Sequence, residues 1–421
     1  MLCKKGVNMR RVVVTGIGAV TPVGNDMKTT WNNLVKGVSG IDFIPEERFS
    51  TEGLKVNIAG LVKDFDPTKY FEKKELRKND LYTQFAVAAA TEAVEDSGIM
   101  GNIPEEKFGV YVGSGIGGMK SFYDNSINME TAGARKVSPF FIPMMISNMA
   151  SGTIAIRFKA KGPCVPIVTA CATGANAIGE AFHAIKDGYC DAIITGGAEA
   201  AVSPLAIAGF QNCKALTTRN DPKTASIPFD KNRDGFVMGE GGACMILEEY
   251  EHAKARGAKI YAEIAGYGNT CDAHHITAPD ATAETPAQAI KVAMKEANVT
   301  GDEDWYWNAH GTSTHLNDIT ETKAIKLALG DNAYRVNVSS TKSMTGHLFG
   351  ATGALEAIVC ALTLKEGVIP PTIGYSEKDE ECDLNYTPNN AVKRDVTVAA
   401  STNLGFGGHN ACLIFKKYME D

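Results

Sequence analysis

Three residues of this 421-residue chain could do chemistry together: Cys171 in VTACATGA, His310 in NAHGTST and His347 in STKSMTGH. Each stands where an apolar run gives way to small or hydroxyl-bearing residues. Around Cys171, Pro166 to Ala170 reads as a short buried strand. From Ala172 the positions Ala175, Ile178, Gly179, Phe182 and Ile185 fall on one helical face until Gly188 ends the pattern. A thiol at that junction faces the unpaired N–H groups of a first helical turn, which favour thiolate and are expected to lower its pKa below the free value of about 8.5. Free cysteine also packs as a small hydrophobe, so position alone leaves a purely structural Cys171 open.

The two histidines narrow the chemistry. His347 is expected to open a helix, whose dipole disfavours imidazolium and keeps a neutral ring able to donate a hydrogen bond. Lys342, between Thr341 and Ser343 in an uncharged loop, reads as a buried cation, and Glu356 further along the same segment as its counter-ion. A cysteine with two histidines and no acidic triad member suits thioester chemistry. The thiolate takes an acyl group, and two imidazole donors hold the carbonyl oxygen of a second thioester as it becomes an enolate. That is carbon–carbon condensation rather than hydrolysis.

The elements that must position these groups alternate between apolar strands and helices. Val12–Ala19, 108–113, Ala192–Thr195 and Cys244–Glu248 read as strands of a first half. Helices over Met27–Lys36, Leu76–Asp96 and from Ser138-Pro139 to Phe158 lie between them. A second half repeats the order, with strands Ile260–Tyr267, Trp305–Ala309, Val336–Ser339, Val396–Ser401 and Ala411–Phe415. Its helices cover Pro286–Ala297, Asp318–Leu327 and the stretch from His347 to Lys365. Continuous apolar runs flanked by helices predict a parallel sheet covered on both faces. All three reactive junctions then fall at its carboxyl edge, where ligand crevices form. The halves divide at 9–258 and 259–421, with no low-complexity linker, and are expected to form one rigid α/β unit. The loop GSGIGGMK after strand 108–113 fits neither dinucleotide nor P-loop spacing and reads as a close-packed glycine turn.

Composition excludes several classes. Ten dispersed cysteines without a CxxC pair or zinc spacing argue for a reducing cytosol, and a net charge of −7 argues against general nucleic-acid binding. No run of about 18 apolar residues suggests a membrane span. The basic start followed by VVVTGIGAV reads as a first strand rather than a signal peptide, with residues 1–8 a loose extension and Met9 an alternative start.

TACATGANAIGEA, SIPFDKNRDGFVMGEGG, NAHGTSTHLND, SSTKSMTGHLFGATGALE and GFGGHN, in this order and spacing, resemble the β-ketoacyl-acyl carrier protein synthases of the elongating type II class, over essentially the whole chain from Met9. The resemblance implies a thiolase-like fold, an αβαβα five-layer sandwich of two duplicated halves, and a homodimer. It implies that Cys171 is the acylated nucleophile and that His310 and His347 assist malonyl decarboxylation and condensation, with Lys342 and Glu356 supporting the site. The amides of Cys171 and Phe406 would form an oxyanion hole, with Phe406 as a gate. Thr312 and Thr314 would hold a pantetheine arm, and Ile116 and Phe210 would bound an acyl pocket. No metal or free organic cofactor is implied, since phosphopantetheine arrives on the acyl carrier protein. Basic clusters at Lys73, Lys74, Arg77 and Lys78, and at Arg135, Lys136, Lys214 and Arg219, would dock that carrier despite the overall acidity.

The sequence departs from the family pattern at His315, Trp305, Trp307, Leu404 and His409, which bears on chain-length preference and loop mobility. His274 and His275 read as surface-loop residues. The expectation is a cytosolic 3-oxoacyl synthase working by a ping-pong route. The alternatives are a polyketide-type ketosynthase and a non-catalytic carrier-binding subunit of a condensing pair. A degradative thiolase would need a second cysteine near the C-terminus, which GFGGHN lacks.

Overall fold

The run VVVTGIGAV forms a strand that is buried at every position, and two glycines let it lie that deep. In the computed structural model, which describes residues 10–420, nine strands make one sheet. They are β1 (Val12–Val20), β2 (Phe108–Gly113), β3 (Ala192–Glu199), β4 (Gly241–Glu249), β5 (Glu263–Cys271), β6 (Trp305–Asn308), β7 (Asn337–Ser339), β8 (Val398–Gly405) and β9 (His409–Lys416). Residues 1–8 and Met9, the expected extension and alternative start, lie outside the described residues.

A Cβ on Gly16 or Gly18 would sit 2.1 or 2.2 Å from the carbonyl oxygens of Ala93 or Ala89 in helix α1 (Leu81–Ser97). Strand β5 repeats the device. Cβ atoms on Gly266 and Gly268 would lie 2.2 and 1.9 Å from the carbonyls of Ala293 and Ala289 in the helix Glu284–Ala297. In each half the first strand is thus pressed against the backbone of the helix that follows it.

The strand order is β2-β3-β4-β1-β5-β9-β8-β6-β7. From its outer part towards the centre the first side runs β2-β3-β4-β1 and the second β6-β8-β9-β5 with β7 outside it, so in each the second strand of the half is followed by its last two and then its first, and the topology is duplicated. The sides join where Val12 and Val13 pair with Ile264 and Glu263. Between them lie α3 (Thr173–Lys186) and α6 (Thr352–Glu366), which touch strands of both halves. These two helices meet closely: a Cβ on Gly174 would lie 2.7 Å from the Ala354 nitrogen, and one on Gly353 2.6 Å from that of Ala175. Helices α1 and α2 (Met149–Phe158) cover the outer face of the first side, and α4 (Glu284–Ala297), carrying α5 (His315–Leu329), covers that of the second. The result is a five-layer αβαβα sandwich. Its largest apolar cluster joins α3 and α6 to β1, β4 and β9.

The sheet is mixed, not parallel as the apolar runs suggested. β2–β3, β6–β8 and β6–β7 are parallel, whereas β1 runs antiparallel to both its neighbours. Burial on both faces makes a run apolar whichever way its neighbour points. Pro166–Ala170 forms no strand. Pro163 and Pro166 carry no N–H to extend a ladder, and pairing with β2 stops at Val165: Gly162 N–H donates to the Phe108 carbonyl, Val110 N–H to that of Pro163 and Val165 N–H to that of Val110. The expected helix over 76–96 starts only at Leu81, because the Asp80 side chain caps it by accepting from Tyr82 N–H. The stretch 138–158 is two helices, Phe141–Met145 and α2, separated by the extended Ile146. His347 does not open a helix; it lies between the short helix Lys342–Thr345 and a 3-10 turn, Phe349–Ala351, that leads into α6.

Candidate active site

The tight turn Ala170–Ala172 places Cys171, with Ala170 at φ 50°, a conformation that costs a residue with a Cβ. Side chains of the following helix hold it: Thr173 Oγ1 accepts from Thr169 N–H at 2.9 Å, and Thr169 Oγ1 donates to Asn176 Oδ1 at 2.7 Å. The backbone N–H groups of Phe406 and of Cys171 itself point at the sulfur. The thiol pKa nevertheless moves opposite to expectation. Burial pushes it up to about 12, against the pull of the Lys342 ammonium and of the two amides. The helix proper begins only at Thr173, so removal of the sulfur from water outweighs the helix-start field. Cys171 therefore rests as a thiol.

His310 and His347 share the pocket with Cys171, their ring centroids 5.3 Å apart and their planes at 87°. Both residues are buried. Burial, with the charge of Lys342 behind it, holds both imidazoles well below the usual histidine range, so both are neutral. The Asn403 amide donates to His310 Nδ1 at 3.3 Å, which leaves the ring proton on Nε2. His347 Nδ1 lies 3.1 Å from Thr352 Oγ1.

Lys342 supports this arrangement from below. Its ammonium donates to the His310 carbonyl and to Glu356 Oε1, each at 2.5 Å, with both side chains nearly inaccessible to water. Asn403 donates to the other Glu356 oxygen at 2.7 Å and so links the ion pair to the His310 ring. Burial raises the Glu356 carboxyl and the neighbouring ammonium opposes that rise.

Sequence reasoning missed three of these supports. Besides Asn403 and Thr352, the carboxylate of Glu321 accepts from the backbone N–H groups of His310 and Gly311 at 2.7 and 2.8 Å. An acid set among the buried residues Ile319, Thr320 and Thr322 of α5 was the available signal. Trp307 is packed in the second-side core, not in the pocket. It connects to the site by donating to Thr402 Oγ1 at 2.9 Å, and Thr402 donates to Glu321 Oε1 at 2.6 Å.

The pocket, about 500 Å³, has a floor at Cys171 and an apolar wall of Phe210, Phe236, Phe349 and Phe406. Phe210 stacks on Phe349 at 5.2 Å and approaches Phe406 at 6.3 Å. Ile116 lines the same space. Thr312 and Thr314, their hydroxyls 2.9 Å apart, line it beside the exposed His315. Of the basic residues, Lys214 stands exposed on the pocket lining. Lys73, Lys74 and Arg77 lie on or beside the short exposed helix Lys73–Leu76, and Arg135 and Lys136 on the exposed turn Ala134–Lys136, away from the pocket. Arg219 is engaged internally, donating to the Thr224 and Asn232 carbonyls. His274 and His275 are exposed and do not line the pocket. Among the described residues, no three His, Cys, Asp or Glu side chains are grouped to hold a metal ion.

A thiol beside two backbone amides, two neutral imidazoles in the same aromatic-walled pocket and a duplicated α/β frame fit a thiol-dependent acyl-transfer enzyme of the condensing class. Residues 9–253 match the N-terminal domain, and residues 261–376 the C-terminal domain, of β-ketoacyl synthase. The chain is 51% identical over 410 residues to 3-oxoacyl-[acyl-carrier-protein] synthase 2 of Staphylococcus aureus, covering 97% of this chain and 99% of that one. It is 50% identical over 411 residues to the synthase of the same name from Synechocystis, covering 97% and 98%. A solved type II polyketide ketosynthase in complex with its acyl carrier protein superposes with a TM-score of 0.90 at 33% identity, over 98% of this chain and all of that one. The chain belongs to the β-ketoacyl synthase family and has its thiolase-like fold.

Proposed function

We propose that the protein is a 3-oxoacyl-[acyl-carrier-protein] synthase that elongates fatty acyl chains by decarboxylative Claisen condensation. The observation that carries this reading is the sulfur of Cys171 facing the amides of Phe406 and Cys171, with both neutral histidines in the same pocket. In the first half-reaction Cys171 Sγ attacks the thioester carbonyl of an acyl-carrier protein. The two amides take the developing oxyanion, and the carrier thiol leaves with the proton that Cys171 loses. In the second, malonyl-carrier protein enters past Thr312 and Thr314. Its carboxylate departs as carbon dioxide, and the electron pair of that bond forms an enolate held by the Nε2–H of His310 and by His347. The enolate carbon attacks the acyl-enzyme, the C–S bond breaks with its electron pair on the Cys171 sulfur, which takes a proton from water to return to the thiol, and the 3-oxo product leaves on the carrier. Lys342, Glu356 and Asn403 fix the His310 ring and take no proton. Ile116 and Phe210 bound the acyl chain. The pantetheine arm belongs to the substrate, and the reading needs no free cofactor or metal.

Lys73, Lys74, Arg77, Arg135, Lys136 and Lys214 form the carrier-docking surface, which suits the acidic carrier. The working form is a homodimer of two-half subunits, 9–258 and 259–421, in the cytoplasm. No described helix is long and apolar enough to cross a membrane. The second copy supplies a neighbour for the segment after α2, where Val165 and Val168 are 41% and 51% exposed.

The decisive test is intact mass spectrometry after incubation with decanoyl-carrier protein, with Cys171→Ala as control. An adduct on Cys171 that malonyl-carrier protein converts to a 3-oxo product two carbons longer establishes the mechanism. Absence of an adduct with every carrier-bound chain would leave only a carrier-binding subunit.

A further inference from the structure

One buried carboxylate behind the pocket lining has no part in these steps. Glu199, the last residue of β3, is fully buried, and its two oxygens collect four donors. Oε1 accepts from Ser114 Oγ at 2.7 Å and from Ile116 N–H at 3.3 Å. Oε2 accepts from Gly115 N–H at 2.8 Å and from Gly350 N–H at 3.1 Å. Three of these donors belong to the loop that carries Ile116 into the pocket, and the fourth to the turn after His347.

Steric fit is equally close. A Cβ on Gly350 would sit 2.5 Å from the Gly115 nitrogen and 3.0 Å from Glu199 Oε2. Ser114 Oγ also accepts from Gly117 N–H at 2.9 Å, so the loop closes on itself around the same hydroxyl. Without the carboxylate, the N–H groups of Gly115, Ile116 and Gly350 would be buried with no acceptor on this side.

We propose that Glu199 is a specificity-positioning residue: its carboxylate ties the 114–117 loop to the Gly350 turn and so fixes where Ile116 ends the acyl pocket. The inference rests on the reading of that pocket as an acyl site. Its consequences differ by oxygen. In Glu199→Gln the amide nitrogen fits best at the Oε1 position, where the Ser114 hydroxyl can turn to accept from it. Gly115 and Gly350 keep their acceptor, and the Ile116 N–H loses its own. The substitution therefore releases the pocket end while the Gly350 turn stays tied.

The test compares rates of Cys171 acylation by hexanoyl- and palmitoyl-carrier protein, read by intact mass for the wild type, Glu199→Gln and Ser114→Ala. The palmitoyl-to-hexanoyl rate ratio is expected to rise about tenfold in Glu199→Gln, the scale on which small pocket changes discriminate chains. Ser114→Ala, which removes one donor and leaves the carboxylate in place, should shift the ratio in the same direction by less. It also serves if Glu199→Gln does not fold. A ratio equal to that of the wild type in the folded variants, or rates lowered by the same factor for both chains, overturns the proposal. A wild type that takes no acyl group on Cys171 overturns the functional reading itself, and this inference with it.

Discussion

On the first side of the molecule, Ala170-Cys171-Ala172 leads into Thr173-Gly174-Ala175 of α3; on the second, Phe349-Gly350-Ala351 leads into Thr352-Gly353-Ala354 of α6. Both turns begin on a residue with positive φ, 50° at Ala170 and 47° at Phe349. Both helices start on Thr-Gly-Ala, and the two glycines let the helices meet. Cys171 thus stands where its counterpart is Gly350. Around Cys171 two amides converge on a sulfur, with space beyond it; at Gly350 the amide is already taken by the Glu199 carboxylate. One frame, used twice, yields a turn that opens on the pocket and a filled structural one. The side chain and what faces it make the difference, not the backbone.

The largest effect should come from making the turns alike. Cys171→Gly puts at the centre of the first turn the residue that the second has there. It is expected to lower acyl transfer from carrier protein by at least roughly a thousandfold, the scale of losing a covalent nucleophile. Thermal unfolding should be nearly unchanged, since Gly350 already occupies the same conformation. Substantial residual acylation in a peptide-mapped assay would remove Cys171 from its role.

The second prediction concerns the resting sulfur. Burial pushes Cys171 up to about 12, so the reactive thiolate is scarce near neutrality and grows tenfold per pH unit. Alkylation of Cys171 by iodoacetamide should therefore climb steadily from about pH 7 to about pH 10 without a plateau. A plateau near pH 7 would mean that the helix-start field wins after all. On the acid side both histidines, held well below their usual range, stay neutral, so decarboxylation of malonyl-carrier protein should not fall between about pH 8 and pH 6.5.

The outer edges sharpen the comparison differently. On the second side, edge strand β7 is covered, with Val338 N–H donating to the Asn385 carbonyl and the Val338 side chain fully buried. On the first side the corresponding segment, 163–168, leaves Val165 and Val168 exposed. In the proposed homodimer Val168→Asp sets a charge in the apolar contact between subunits, and it should weaken self-association by about a hundredfold, seen as a concentration-dependent monomer by analytical ultracentrifugation. A dimer of unaltered affinity would place the interface elsewhere.

The matched glycines offer the most symmetric test. Gly18→Ala and Gly268→Ala each drive a methyl group against a helix carbonyl, 2.2 Å away in one case and 1.9 Å in the other. Each should destabilise folding by about 3 kcal/mol in chemical denaturation, the upper end of overpacking costs. Unequal effects would show that one half bears more of the stability than its twin.

Much of this duplication was open to reading. TGIG and AGYG mark the two first strands, and CATGA and GATGA the two central helices. Element positions followed from apolar periodicity, which is a local property. Strand direction did not, because a strand buried on both faces reads the same either way. Nor did the loss of strand at 166–170, where Pro163 and Pro166 remove donors that an apolar count ignores. Cys171, His310 and His347 were visible because small, hydroxyl-rich surroundings set them apart. Glu199, Glu321 and Asn403 were hidden, since each acts through backbone groups or rings brought from distant segments. The direction of the Cys171 shift depended on burial depth, which only the packed structure defines.

The smallest effect expected is at Trp307, where a bulky departure in β6 reaches the site through a polar chain. Its indole N–H donates to Thr402, whose hydroxyl donates to Glu321, the acceptor for the His310 and Gly311 amides. The first side has a chain of its own: Tyr267 Oη accepts from Asn176 Nδ2 at 2.6 Å, and Asn176 Oδ1 accepts from the hydroxyl of Thr169, before Cys171, at 2.7 Å. Trp307→Phe keeps most of the apolar volume and removes the donor, at a cost of about 1 kcal/mol for one neutral hydrogen bond. Thr402 can still donate to Glu321 without it, so His310 should keep its place. Malonyl decarboxylation by the Trp307→Phe variant should therefore fall by no more than about twofold, while the unfolding midpoint moves measurably. A larger catalytic loss at unchanged stability would mean that the indole holds His310 in position, and that the second side has no polar relay it can spare.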